Sequence, residues 1–257
     1  MDFLKIEDVH HTYFTKTSAT TALSDISLKV EEGEFVSFLG PSGCGKTTLL
    51  SIIAGLLQPT EGLVILEGKS TSRDAKDIGY MLQQDYLFPW KTIEENILLG
   101  LKLSKHLTKE KKIYTINLLG KMGLTGVENQ YPKQLSGGMR QRVALIRTLA
   151  TEPKLLMLDE PFSALDFQTK LHLEDLVFET LKSFHKTAIL VTHDIGEAIA
   201  MSDRVFLLSA RPGKLYKTFI IPDELRHLPP FQARNHEIFP SLFQTIWKEL
   251  ESLESIH

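Results

Sequence analysis

The chain has one cysteine, Cys44, so it can form no internal disulfide, which fits a reducing compartment. Long hydrophobic runs are missing as well. The longest, Leu49 to Leu57, is about half of the roughly 20 residues that a spanning helix needs, so the chain is not expected to cross a membrane itself. The start, Met-Asp-Phe-Leu-Lys, has no basic segment leading into an apolar one, and no signal peptide is expected. Neither sign of charge dominates. The 29 Lys and Arg against 32 Asp and Glu leave a formal charge of -3, which argues against a general nucleic-acid binder. Internal repeats and low-complexity segments are also lacking. What is present suits a globular fold: 42% hydrophobic and 24% charged residues, over a length of 257 that allows one large domain or two small ones.

The first third reads as β-rich. Ile26-Ser27-Leu28-Lys29-Val30 alternates with period two, Glu31-Glu32-Gly33-Glu34 turns, and Phe35-Val36-Ser37-Phe38-Leu39 is a strand ending at Gly40. Helical periodicity follows through Leu49, Leu50, Ile53 and Ala54, with Pro59 as the expected stop. From about 85 to 135 the pattern is mainly helical, with Thr108 as an N-cap and Ile113, Ile116 and Leu119 on one face. Leu155 to Leu158 and Ala188 to Val191 are apolar runs of strand length, suited to strands buried on both faces. The tail sets Phe239, Leu242, Phe243, Ile246, Leu250 and Leu253 along one helical stripe, with Pro240 in the first turn, and the stripe reads as packing. Alternating strands and helices imply an α/β domain with a mostly parallel sheet.

Gly40-Pro41-Ser42-Gly43-Cys44-Gly45-Lys46-Thr47 fits the phosphate-loop pattern G-x-x-x-x-G-K-[ST], here between a predicted strand and a predicted helix. The glycines let the backbone curl so that successive N–H groups face a phosphate, and the helix start adds partial positive charge. Lys46 can reach the β- and γ-phosphates of ATP, Thr47 can bind Mg²⁺, and Thr48 can add a hydroxyl. Cys44, close to a helix start and to Lys46, is expected to be a reactive thiol facing the phosphates, with a buried, inert thiol packed in the loop as the alternative.

The second half of a nucleotide site should be a strand ending in acid, and Leu155-Leu156-Met157-Leu158-Asp159-Glu160 supplies it. Consecutive strand residues point to opposite sides, so the two carboxylates take different jobs. Asp159 is assigned to the Mg²⁺ shell and Glu160 to the attacking water as general base.

Leu135-Ser136-Gly137-Gly138-Met139-Arg140-Gln141-Arg142 narrows the field, because it resembles the signature sequence of ABC proteins, with Met139 where glutamine is commoner. Ser136 and two glycines before a helix make a second anion-binding helix start. In the ABC family two cassettes sandwich two ATP molecules, so the resemblance implies that Ser136, Gly137 and Gly138 serve the nucleotide of a second copy. Gln83 resembles the Q-loop glutamine that senses Mg²⁺ and water, although Gln84 beside it leaves the register open. Ser163-Ala164-Leu165-Asp166 looks like the D-loop, with Asp166 toward the partner's ATP, and His193 looks like the switch histidine near the γ-phosphate. Tyr13 resembles the aromatic that stacks on adenine, with His10, His11 and Phe14 as competing neighbours. The resemblance implies a P-loop NTPase core with an N-terminal antiparallel β region and an inserted helical subdomain. It divides the chain into a cassette over 1–215, with a helical subdomain at about 85–135, and a helical extension over 216–257.

A lone cassette, with no fused membrane segment and no long heptads, is similar to importer subunits. Gln83-Gln84-Asp85-Tyr86-Leu87-Phe88-Pro89-Trp90 and Ser209-Ala210-Arg211-Pro212-Gly213-Lys214 resemble the subunits that power nitrate, sulfonate and taurine uptake. Exposing Leu-Phe-Pro-Trp would be costly in a solvated loop, so either a groove for a permease helix or a loop tucked onto its own domain is expected there. The expected partners are therefore a second copy of the chain, an integral-membrane permease and, indirectly, a solute-binding protein, at the cytoplasmic face of the cell membrane. The competing reading is a soluble ABC ATPase that acts on a macromolecular complex.

Overall fold

The computed structural model describes residues 2–71, 77–163, 165–183 and 185–254. Ala164 of the D-loop run lies outside them. In chain order the elements are β1 (Leu4–Phe14), β2 (Ala19–Val30), β3 (Phe35–Leu39), α1 (Lys46–Ile53), β4 (Glu61–Leu66), β5 (Lys69–Ser70) and β6 (Ile78–Met81). Then come α2 (Ile93–Ile97), α3 (Leu99–Leu103), α4 (Lys109–Lys121), α5 (Gly137–Leu149), β7 (Leu155–Asp159), α6 (Phe167–Ser183) and β8 (Thr187–Val191). The chain continues through α7 (Ile195–Met201), β9 (Arg204–Leu208), β10 (Leu215–Ile220), α8 (Asp223–Arg226), α9 (Pro230–Arg234) and α10 (Phe239–Glu254).

Two sheets result. The N-terminal one is antiparallel, in the order β2-β1-β4-β5; the other runs β10-β9-β3-β8-β7-β6, parallel throughout except for β10 at its edge. Strands β3, β7 and β8 are buried at every position, as expected of parallel strands covered on both faces. Side chains of β7 alternate between two cores. Leu155 and Met157 pack with Leu49 and Ile53 of α1 and with Ile6 and Val64 of the antiparallel sheet. Leu156 and Leu158 pack with Ile97, Leu119 and Val143 of the helices inserted between β6 and β7. A third core joins Leu39, Val205 and Ile199 to Leu225, Phe239 and Ile246 of the C-terminal helices. The tail stripe is packing, with Phe239, Ile246 and Leu253 innermost.

Two expectations about helices need correction. Helix α1 ends at Ile53, and the turn over Ala54 and Gly55 closes it before Pro59 is reached. In α4, Thr108 does cap, accepting from Lys111 N at 3.2 Å, and Leu119 and partly buried Ile116 pack on the core beside Thr115 and Leu118, but Ile113 is 52% exposed. Leu118 and Leu119 reach the core together, and that rotates the helix so that Ile113 faces out.

Candidate functional site

The phosphate loop joins the buried end of β3 to the first turn of α1. Gly45 is the N-cap residue, at φ +90, and a Cβ there would lie 2.6 Å from the Leu23 side chain, so neither backbone nor space admits another residue. Support comes from a segment whose role was not foreseen. Gly213 bonds Ala22 and Ser24 through its backbone, and a Cβ on it would lie 2.1 Å from the Cys44 carbonyl. Nothing in a single sequence marks that approach; it depends on a long-range pairing of two loops. Cys44 corrects the expectation of a reactive thiol: it is fully buried, packed in the core beneath the loop. Lys46 Nζ bends over the loop, donating to Gly40 O at 2.7 Å and Pro41 O at 3.1 Å and lying 3.3 Å from Cys44 Sγ.

A cleft of about 500 Å³ opens over this loop, lined by Ala22, Gly40, Ser42 through Thr48, Gln83, Glu160 and His193. Tyr13 reaches its edge, sharing a 3.2 Å hydrogen bond with the Thr48 hydroxyl, while buried His11 stands edge-on against the Tyr13 ring at 4.5 Å. Phe14 points away, 73% exposed.

Asp159 is the last residue of β7 and is buried below Thr47. Burial pushes its carboxyl up; a Thr47 hydrogen bond and the Lys46 charge oppose that without cancelling it. The strand stops there. Glu160 leaves it with φ +49, a left-handed conformation that costs a non-glycine residue on the order of 1 kcal/mol. The turn, rather than simple strand alternation, thus separates the two acids. It aims Glu160 into the cleft, where Gln83 Nε2 donates to Oε2 at 2.8 Å and His193 Nδ1 lies 3.4 Å from Oε1. Gln83, not Gln84, makes the contact.

Ser136 caps α5, its hydroxyl accepting from Met139 N at 3.3 Å, and Gly137 beside it is exposed. Gly138 packs so closely on Leu165 that a Cβ would lie 2.8 Å from it. Asp166 caps α6, accepting from Thr169 N at 3.0 Å, and hydrogen bonds from Thr169 hold its carboxyl below the usual range. Ser136, Gly137, Gly138 and Asp166 lie outside the lining of the Lys46 cleft. Two arginines of α5 instead grip the segment after Gln83. Arg140 Nε donates to Asp85 Oδ2 at 2.9 Å, and Arg147 donates to the carbonyls of Asp85 and Tyr86 at 2.7 and 2.9 Å. Further along, Leu87 is buried and Asn96 ties down the Phe88 backbone, whereas Tyr86 and Trp90 protrude, 58% and 70% exposed. Among the described residues no helix is long and apolar enough to cross a membrane.

Comparison with known proteins gives a consistent result. The ABC transporter family profile matches residues 23–163. The chain is 63% identical to the ABC transporter ATP-binding protein YtlC of Bacillus subtilis, over 99% of this chain and 98% of that one. It is 41% identical to the aliphatic sulfonates import ATP-binding protein SsuB of Bacillus cereus, over 93% and 92% of the two chains. Among solved structures it resembles the dimeric ATP-binding cassette MJ0796 in a post-hydrolysis state bound to ADP and Pi, with a TM-score of 0.78 and 34% identity over 85% of this chain and 99% of that one.

Proposed function

The chain belongs to the ABC transporter family as one of its ATP-hydrolysing cassettes, and on that premise we propose that two copies work together beneath an integral-membrane permease to drive uptake of a small solute. The observation that carries this reading is the separation of two anion-binding helix starts in one chain. The Lys46 cleft has its own lysine and acids, whereas the Ser136 helix start lies outside that cleft and is exposed. Each can complete the other across a pair of chains. The dimeric state named for MJ0796 and the import named for SsuB support the arrangement. We read 1–215 as the cassette, about 85–135 as its helical subdomain and 216–257 as an extension.

In the mechanism that follows, the backbone of 40–46, Lys46 and Thr48 hold the phosphates and Tyr13 stacks on adenine. Thr47, Asp159 and the Gln83 amide offer the hard oxygen donors that suit Mg²⁺, and burial of Asp159 without a full counter-charge favours a cation beside it. That ion, when bound, would neutralise phosphate charge. Glu160, aimed by Gln83 and His193, accepts the proton of the attacking water. Ser136, Gly137, Gly138 and Asp166 meet the nucleotide of the second copy.

Tyr86 and Trp90, protruding from a segment braced by Arg140 and Arg147, form the surface for a permease helix. The chain would then lie at the cytoplasmic face of the membrane. Tagged chain should be recovered from detergent-solubilised membranes with an integral permease, and the Tyr86→Ala, Trp90→Ala double variant should lose most of that recovery while keeping basal ATPase activity. Recovery from the soluble fraction with a macromolecular complex instead would favour a soluble ATPase.

A further inference from the structure

The C-terminal helices have no part in the mechanism above, yet one of their side chains enters it from behind. Arg234, at the end of α9, donates Nη1 to the Gly196 carbonyl at 2.9 Å, and its Nη2 lies 2.8 and 3.0 Å from the two carboxylate oxygens of Glu174. Gly196 belongs to the first turn of α7, immediately after the His193 turn, and Glu174 lies on α6, fully buried. One turn earlier on α6, Lys170 bridges Asp194 at 2.6 Å and Glu197 at 2.5 Å. Glu197 in turn accepts from the Thr192 hydroxyl, which itself accepts from Asp194 N at 3.0 Å. Both neighbours of His193 are thus fixed by one cluster of three carboxylates and two cations. The cluster also borders the reacting groups: a cavity of about 110 Å³ is lined by Glu160 and His193 together with Lys170, Thr192 and Glu197.

We propose that Arg234 is a positioning residue for ATP hydrolysis, and that through it the C-terminal extension becomes a structural part of the hydrolytic site. The reason lies in charge balance. Glu174 has no exposure to water, so its ionised form needs a cation, and Lys170 is its neighbour one turn back on the same helix. With Arg234 present, Lys170 is free to hold Asp194 and Glu197. Without it, the buried carboxylate either takes up a proton or draws Lys170 toward itself. In the second case Asp194 and Glu197 lose their shared clamp, and the His193 turn loses its fixed position against Glu160. Removal of Arg234 also leaves the Gly196 carbonyl without its side-chain donor. The effect should fall on the chemical step, because Arg234, Glu174, Lys170, Asp194 and Glu197 all lie outside the lining of the cleft over the phosphate loop.

The inference rests on the reading of His193 as a group of the hydrolytic site, and the experiment separates the two. Full-length chain carrying Arg234→Met, which keeps the apolar stem, is compared with Arg234→Lys, which keeps the charge but not the fork. The readouts are kcat and KM for MgATP, melting temperature, and the imidazole resonances of His193, identified by their loss in His193→Ala. The expected result for Arg234→Met is a kcat about tenfold lower at a KM within about twofold of wild type, with shifted His193 resonances; Arg234→Lys should lose only about threefold. Wild-type kcat in Arg234→Met overturns the proposal whatever the melting temperature, as does a loss of kcat with unmoved His193 resonances or with an equal loss of nucleotide affinity. If Arg234→Met does not fold, Arg234→Lys decides alone by the same criteria. Should wild-type chain fail to hydrolyse ATP, the functional reading fails first, and the resonance shift still tests whether Arg234 sets the position of His193.

Discussion

Helices α1 and α5 begin in similar ways and end up in opposite situations. Each starts from a run of small residues that leaves backbone N–H groups available for an anion. The start of α1 has no side-chain cap, a lysine in its first turn, a buried carboxylate beneath it and a cleft around it. The start of α5 is capped by its own serine, borders solvent, and has one arginine, Arg140, that reaches back to Asp85 in the segment after Gln83. One has a lysine, acids and a cleft of its own; the other lies exposed outside that cleft. The same local chemistry therefore acquires its role from what the fold puts beside it.

The largest break in this comparison should come from Lys46→Ala, which removes the cation placed over the loop. ATP binding to the isolated chain should fall by roughly 10² or more, read by equilibrium dialysis. Ser136→Arg, at the other helix start, should leave that binding within about twofold while hydrolysis stops, since the bulk blocks approach to a second copy. Equal loss of binding in both variants would mean that the two starts serve one site in one chain.

A smaller effect sharpens the account of what holds the first start in shape. Gly213→Ala would drive a Cβ to within 2.1 Å of the Cys44 carbonyl, so the loop must move. Nucleotide affinity should weaken by about tenfold, equivalent to about 1.4 kcal/mol, with Ser136-dependent behaviour unchanged. Unaltered affinity would show that the loop tolerates displacement from below.

The smallest effect concerns pH. Glu174 has its carboxyl pushed up to about 7, first by burial and also by Glu197, against the pull of Arg234 and Lys170. Its folded value lies above its unfolded one, so the folded chain holds a proton that the unfolded chain releases. Stability from this group therefore declines as pH rises from about 4.5 through about 7 and is level above that. Glu174→Gln should flatten the slope of melting temperature between about pH 5 and 8, by a few degrees over the range. An unchanged slope would remove Glu174 from the account.

The parts legible in the sequence are those whose signal is local. Phe35–Leu39 and the apolar runs Leu155 to Leu158 and Ala188 to Val191 all lie in buried strands of the parallel sheet. The loop from Gly40 to Thr47 carries its chemistry in its spacing, and it does form the floor of the cleft. Local signal fails where a neighbour distant in sequence decides. The setting of Cys44 points to a reactive thiol, yet the side chain turns into the core between α1 and the sheets. The inward stripe of α4 differs from its periodicity because Ile113 and Leu118 are equally apolar, and only packing distinguishes them. Gln83 cannot be separated from Gln84 by pattern; the contact with Glu160 separates them. Gly213, Arg147 and Arg234 act on partners far away in the chain, 62 residues in the case of Arg147 and Asp85, and no periodicity could mark them.

If the exposed start of α5 completes the nucleotide site of a second copy, the mass of a chain that binds ATP without consuming it should double with ATP. Glu160→Gln keeps the size and hydrogen bonding of the side chain but removes the base, so hydrolysis should fall by about 10² or more while ATP still binds. Light scattering after size exclusion in MgATP should give the mass of two chains for Glu160→Gln, and of one chain when Ser136→Arg is added to it. A single-chain mass for Glu160→Gln under conditions where it demonstrably holds ATP, or a two-chain mass that Ser136→Arg leaves intact, would contradict the account.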